Sequence, residues 1–264
     1  MVNKLIAFTL ALGFFIWNPY PFKILELQTF DWLMKTQPEV QNQNIVLVDL
    51  DEEIVEAYGG YPLPRTLFSD MINKTTGIPG FTILMPDPDL RNKVNDVVLA
   101  ETLSARPTVL AFAASTQATE VGPHVGTAQI GGDPTTWTIN YPGILRQTTI
   151  LSENADGKGI VNSRSELDGI VRRVPLVVGS EGEVYPSFAL EMLRLGTGDI
   201  SYQIKTGEYG VEWVRVPAYN KMNTDANGNI WLNTNIKFYR QTASEFMMNP
   251  MQAPFVIFGV TAEG

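Results

Sequence analysis

The sequence predicts an α/β protein: a central mixed sheet with a parallel βαβαβ first half and antiparallel hairpins in the second half, preceded by an N-terminal membrane helix. Three observations predict it. Short apolar runs at residues 45–48, 81–85 and 108–113 alternate with segments of helical period, and strands joined by helices at such spacing need right-handed crossovers and a parallel sheet. Further on, extended segments are broken at Asp168-Gly169, Glu181-Gly182 and Asn227-Gly228, the kind of pair that tight hairpin turns use. Near the N-terminus, residues 5–17 are apolar apart from Thr9 and Gly13.

That first stretch is short for a full membrane span and falls within the range of a signal-peptide core. No Ala-x-Ala-like cleavage site follows it, and Trp17, Tyr20 and Phe22 with Pro19 and Pro21 have the composition of an interfacial belt. An uncleaved anchor over residues 1–22 is the expected arrangement, with a removed signal or a buried helix as alternatives. Lys4 and Lys23 stand one on each side and fix no orientation. Residues 23–264 then form the folded domain.

Apolar positions Ile24, Leu25, Leu27, Phe30, Leu33 and Met34 predict a helix that leaves the membrane and packs on the domain, with Asp31 on its polar side and Gln37-Pro38 ending it. The first strand is expected from Ile45. A helix starting at Arg65 buries Leu67, Phe68, Met71 and Ile72 and stops at Gly77, and a second strand spans residues 81–85. Asn95 is placed to cap a helix through Val97, Val98, Ala100 and Leu103, followed by a third strand at 108–113. Residues 115–143, rich in glycine, threonine and proline, offer one edge strand around Trp137–Tyr141. Segments 158–163 and 170–178 are expected to pair antiparallel around Asp168-Gly169. An apolar helix over 188–195 stops at Gly196, strands follow at 211–216 and around Ile230, and a buried strand covers 255–260. Because that strand lies four residues from the end, the polypeptide is expected to continue past Gly264.

The 264 residues are enough for a proper core, and 44% hydrophobic with 18% charged residues is the composition of an ordered globular chain. A net charge of −9 argues against a surface that binds nucleic acid. With no cysteine and one histidine, His124, thiol catalysis, disulfides, iron–sulfur clusters and Cys/His zinc sites are excluded. No cofactor is implied, and any metal would have to be hard and oxygen-bound.

The candidate site residues are Asp49, Asp51, Arg65, Asp87, Arg172 and Arg173. Asp49, Asp51, Glu52, Asp87 and Asp89 could gather at neighbouring strand ends around a divalent cation or act as acid and base; equally, strand ends and turns favour aspartate, and Asp51 can cap the helix begun by Glu52-Glu53. Arg65 at a helix start is disfavoured by the helix dipole and calls for a partner: a salt bridge to Asp49 or Asp51, giving a structural triad, or an anionic ligand. Arg172 and Arg173 alternate across an extended segment, so one faces inward and the other solvent. Asp225-Ala-Asn-Gly-Asn229 lacks the glycine and terminal glutamate of a calcium loop and reads as a hairpin turn.

These pieces together resemble the type-2 CHASE sensory domain. The matching residues are Phe30-Asp31-Trp32, Val48-Asp-Leu-Asp-Glu52, Tyr61-Pro-Leu-Pro-Arg65, Asp96-Val-Val-Leu-Ala100, Leu167-Asp-Gly-Ile-Val-Arg-Arg-Val-Pro175, Tyr185-Pro-Ser-Phe-Ala-Leu190, Asp225-Ala-Asn-Gly-Asn-Ile-Trp-Leu-Asn233 and Val256-Ile-Phe-Gly-Val-Thr-Ala-Glu-Gly264. Leu63 and Leu84-Met85-Pro86 depart from the family pattern, which usually has a tryptophan and an aspartate-containing strand end there. The resemblance implies a non-catalytic extracytoplasmic sensor in the bacterial inner membrane, bulk periplasmic. It also implies further membrane helices and an output domain, a nucleotide cyclase or a histidine kinase, after Gly264. The signal would be a small molecule or a protein, with a homodimer also open. The alternative reading is a membrane-anchored periplasmic hydrolase with an acidic divalent-cation site, and a third is a structural dimerising spacer.

Overall fold

The computed structural model describes Gly13 and residues 20–119 and 126–259. The anchor expected upstream of Tyr20, His124 and the last residues of the Gly-Val-Thr-Ala-Glu-Gly stretch lie outside the described residues. Among the described residues, no helix is long and apolar enough to cross a membrane.

Helix α1 (Tyr20–Lys35) leads into β1 (Val40–Asp49), α2 (Glu52–Ala57), α3 (Arg65–Lys74), β2 (Ile78–Phe81), α4 (Val94–Ala105) and β3 (Val109–Ser115). Short elements follow: β4 (Thr127–Ile130), β5 (Asn140–Tyr141), β6 (Gly143–Leu145), α5 (Thr149–Asn154), β7 (Gly157–Ile160), β8 (Arg173–Pro175), β9 (Val177–Ser180) and β10 (Glu183–Pro186). The chain continues through α6 (Phe188–Thr197), β11 (Tyr202–Gly207), β12 (Gly210–Arg215), β13 (Met222–Asn223), β14 (Asn229–Trp231), β15 (Ile236–Thr242), α7 (Ala243–Met248) and β16 (Phe255–Gly259).

The principal sheet runs β15-β1-β16-β2-β3-β6, with β7 also paired to β3. Every pairing in it is parallel except β3 with β6. The parallel character of the first half is therefore as the sequence predicts, but β1 and β2 are not neighbours: β16 lies between them. Alternation along β16 explains why it can sit there. Val256 and Phe258 join a core with Leu67, Phe68, Met71 and Leu103 from α3 and α4, while Phe255 and Ile257 pack on the other side with Phe188 and Met192 of α6. Phe258 stacks on Phe81 at 4.8 Å between centroids and meets Phe246 of α7 edge-on at 5.2 Å.

The hairpin half does not extend this sheet. It forms smaller sheets of its own, β10-β9-β5, β13-β12-β11-β4 and β14-β8, so the single central mixed sheet is corrected to one large sheet flanked by three small ones. The β9–β10 hairpin does turn at Glu181-Gly182, both with positive φ (51° and 82°), as a type I′ turn requires. Segments 158–163 and 170–178 do not pair with each other. β7 instead joins β3 in parallel, because Gly159 lets its backbone lie against Phe188, where a Cβ would come within 2.4 Å of the Phe188 Cα.

Other boundaries also shift. β1 begins at Val40, ahead of Ile45, through parallel pairing with β15. The second strand is Ile78–Phe81, and residues 83–85 leave the ladder because the Gln147 side chain takes over their hydrogen bonding. Its Oε1 accepts the Met85 N–H at 2.5 Å and its Nε2 donates to the Ile83 and Ala111 carbonyls. Helix α3 ends at Thr75, not through Gly77, whose missing side chain serves a close approach: a Cβ there would lie 2.1 Å from the Ala253 carbonyl oxygen. Lys93, not Asn95, precedes α4. Helix α6 runs past Gly196, which leaves room for the Phe255 ring, to a left-handed cap at Gly198.

Candidate functional site

The triad expected from Asp49, Asp51 and Arg65 is not formed. Asp49 ends β1 in register with Thr242 and Gly259. Asp51 precedes α2 without capping it; its Oδ1 accepts the Ser244 N–H at 3.2 Å, in the first turn of α7. Arg65 is buried and turns the other way. Its Nε donates to Asp96 Oδ1 at 3.3 Å, its Nη2 to the Asp87 carbonyl at 2.8 Å, and its backbone N–H to Asp89 Oδ2 at 2.9 Å. The physical reason is that α3 packs beside α4 and the Pro86–Asp89 turn folds over its start, so Asp89 and Asp96 are the carboxylates within reach.

Asp87 contributes only its carbonyl and leaves its side chain exposed. Asp89 is the buried one. Burial pulls its carboxyl up, but N–H groups of Arg65, Arg91 and Asn92 and the Asn95 amide outweigh that and hold it below the ordinary range. The five acids named from sequence thus lie at a strand end, separate turns and helix starts, and among the described residues no group of three acidic or histidine side chains is placed to hold a metal ion.

The adjacent Arg172 and Arg173 divide only in part as the alternation predicts: Arg172 faces inward, but Arg173 is half-buried and paired instead of solvated. Arg172, 1% exposed, is clamped by two carboxylates: Nε and Nη2 donate to Asp31 of α1 at 2.7 and 2.6 Å, and Nη1 and Nη2 to Asp168 at 2.8 and 2.7 Å. These hydrogen bonds raise the Arg172 guanidinium above its usual range, lower Asp31, and hold Asp168 at about 2, in each case against a smaller opposing effect of burial. Arg173, half-buried, donates to Glu166 at 2.7 and 3.1 Å and to Asp225 at 3.0 Å, and lies 5.0 Å over the Trp231 ring. Its own shift is upward, from the Glu166 hydrogen bonds first, with burial opposing.

A tight turn makes both clamps. Gly169 has φ of 84°, the Glu166 N–H donates to the Ile170 carbonyl and the Gly169 N–H to the Glu166 carbonyl, so Glu166 and Asp168 leave one loop toward different arginines. Trp231, paired with Arg173 across β14 and β8, lies 4.6 Å from Phe30 of α1 between ring centroids.

Beside Arg173 opens a cleft of about 430 Å3, lined by Asn140, Arg164, Glu166, Arg173, Asn227 and Asn229 among others. Asp225 accepts the Asn227 and Asn229 N–H groups beside it, so Asp225–Asn229 is a tight turn, but not the hairpin expected from sequence: β13 before it pairs with β12 and β14 after it pairs with β8. Arg172 and Arg173 were the sequence-visible part of this site. Sequence places Asp31 on a polar helix face and in the Phe30-Asp31-Trp32 match, Asn140 in an edge strand and Asn227 in a turn, but gives none of them a role; Arg164 and Glu166 sit in a loop without periodicity, where only proximity in the fold singles them out.

The family model described as the CHASE2 domain matches residues 6–264. No curated protein and no solved structure matches the chain. CHASE2 domains are extracellular sensory domains and are not catalytic. With nearly the whole length matched, this chain belongs to the CHASE2 family.

Proposed function

We propose that the chain is the extracytoplasmic sensory domain of a bacterial transmembrane signalling receptor, held to the inner membrane by residues 1–22 with its bulk in the periplasm. Its output is a nucleotide cyclase or a histidine kinase encoded beyond Gly264. One observation carries the reading: two charge clusters, one at the cleft and one on the helix that follows the expected anchor, hang from the same short stretch of backbone through adjacent residues. Arg173 and Glu166 line the cleft, while Arg172 and Asp168, one and two positions away, hold Asp31 on α1. A ligand that draws Glu166 or Arg173 to itself therefore moves the loop that also carries Asp168, and with it the grip on α1. The exposed Tyr20, Phe22, Leu25, Trp32 and Leu33 on α1 support a position at a membrane interface.

The test is made on the full-length receptor in membranes, reading cyclic nucleotide formation or autophosphorylation. Asp31→Asn is expected to shift basal output and to abolish its response to the signal. Output and response identical to wild type, or a gene that stops directly after Gly264, would sink the signalling reading.

A further inference from the structure

Deepening the sensory reading, and resting on it, we infer that the cleft beside Arg173 takes a small zwitterion, an amino carboxylate of the free amino-acid class. The inference comes from which donors and acceptors the fold leaves unused there. Arg164 lines the cleft, is exposed, and among the described residues makes no ion pair; its guanidinium lies 5.8 Å over the Tyr141 ring, a contact that leaves its N–H edge free for an anion. Arg173 on the same wall is already paired with Glu166 and Asp225.

Opposite in sign, the amide side chains present oxygens. The Asn140 Nδ2 donates to the Thr135 and Thr138 carbonyls at 2.6 and 3.0 Å, the Asn227 Nδ2 to the Trp137 carbonyl at 2.6 Å, and the Asn229 Nδ2 to both Asp225 oxygens at 3.0 Å. Each of these partners is an acceptor, so the amide nitrogens are fixed toward them. The Asn140 oxygen is turned against Gly179, where a Cβ would lie 1.9 Å from it, and the Asn227 and Asn229 oxygens are left without a donor among the described residues. Glu166 adds a carboxylate on the same side of the charge balance. Thr138, another cleft residue, keeps its buried Oγ1 without a hydrogen-bond partner among the described residues, a group that a ligand-bound rearrangement can satisfy.

A free guanidinium and a set of free amide oxygens beside a carboxylate call for a ligand carrying one carboxylate and one N–H-rich cation. The charges also balance: Arg164 and Arg173 against Glu166 and Asp225, so a ligand with net charge of either sign would be left uncompensated. The cleft volume of about 430 Å3 lies within the roughly 300–1,000 Å3 of small-molecule sites.

The experiment uses the whole chain, purified in detergent, with thermal melting and calorimetry. The panel is the free L-amino acids, β-alanine and γ-aminobutyrate, with their amides and N-acetyl derivatives as single-charge controls, plus acetate, succinate, methylammonium and glucose. Expected is saturable binding of at least one amino carboxylate, lost when either charge is removed. Arg164→Gln, which breaks no ion pair and leaves the ligand-free melting temperature unchanged, weakens that binding about tenfold or more. Binding of glucose or succinate alone, with the same sensitivity to Arg164→Gln, overturns the ligand class but leaves the cleft as the sensory site. Binding that ignores Arg164→Gln, or no binding by any member of the panel, overturns the assignment of the cleft itself, while the output assay on Asp31→Asn judges the signalling role separately.

Discussion

Arg172 holds Asp31 across 141 positions of sequence, with both guanidinium nitrogens on one edge facing both carboxylate oxygens at 2.7 and 2.6 Å. This is the firmest polar tie between α1 and the domain, since Leu27 is the only residue of that helix that is fully buried. Arg172→Met leaves Asp31 and Asp168 without their counter-charge and is expected to lower the melting temperature by several degrees. Amide exchange should rise in α1 before it rises in β1 or β16. An α1 that keeps its protection in the variant would show that the Phe30–Trp231 contact and the Asn235 amide on the Met34 carbonyl hold the helix without the clamp.

The same clamp sets a pH dependence. Asp168 sits at about 2 in the folded chain against an ordinary 3.8, and Asp31 is lowered too. A carboxylate held below its unfolded value stabilises fully above that value and loses the contribution as pH falls through the folded one. Stability contributed by the clamp is therefore complete above about pH 4 and disappears between about pH 4 and 2. Acid titration followed by tryptophan fluorescence should show the loss in that window, and Asp168→Asn should flatten it.

The corrected partners of Arg65 rank two aspartates. Asp96 and Arg65 are both buried, so Asp96→Ala leaves an uncompensated cation and is expected to cost about 3–5 kcal/mol in urea unfolding. Asp51→Ala removes one hydrogen bond to the first turn of α7, worth about 0.5–2 kcal/mol. A larger loss for Asp51 than for Asp96 would overturn the assignment and restore the strand-end triad.

Calcium or magnesium titrated into the chain by calorimetry is expected to give no saturable heat, because Asp87 faces solvent and Asp51 is committed to Ser244. Micromolar binding lost in Asp51→Ala would return the acidic-site alternative to consideration.

Gly77→Ala is expected to destabilise by about 1–3 kcal/mol, since its Cβ would lie 2.1 and 2.4 Å from the Ala253 and Pro254 carbonyl oxygens, which are backbone and cannot swing aside. The denaturation midpoint should fall with an unchanged slope.

Periodicity made α3 and α6 legible, because each presents an apolar face that must be buried: Leu67, Phe68, Met71 and Ile72 all are. The same period marked α1 as a helix but not its packing, since Leu25 and Leu33 of its apolar set are exposed and only Leu27 is buried. The neighbours of β1 were not legible. Ile45–Asp49 pairs with residues 255–259, and nothing local in either strand names the other. For the same reason Arg65 was matched to the nearest carboxylates in sequence, when the packing of α3 on α4 brings Asp96 to it instead. Asp168-Gly169 gave the turn correctly but not its partners, since a glycine with positive φ fixes direction and not destination. The cleft was invisible because Asn140, Arg164 and Asn227 come from a short strand, a loop and a turn that are far apart in sequence.

The position of β16 bears on the order in which the molecule can assemble. Synthesis runs from the N-terminus, so β1 and β2 are complete long before residues 255–259 exist, yet neither touches the other; each waits with a bare edge toward the same empty slot. The last of the described strands is thus the one that joins the two halves of the sheet, and until it is inserted the apolar surfaces of Val46, Val48 and Phe81 have no Val256 or Phe258 to close against. Closure over such sequence distances is slow. A nascent chain stalled before Pro254 is an aggregation hazard, with two unpaired hydrophobic edges facing one another.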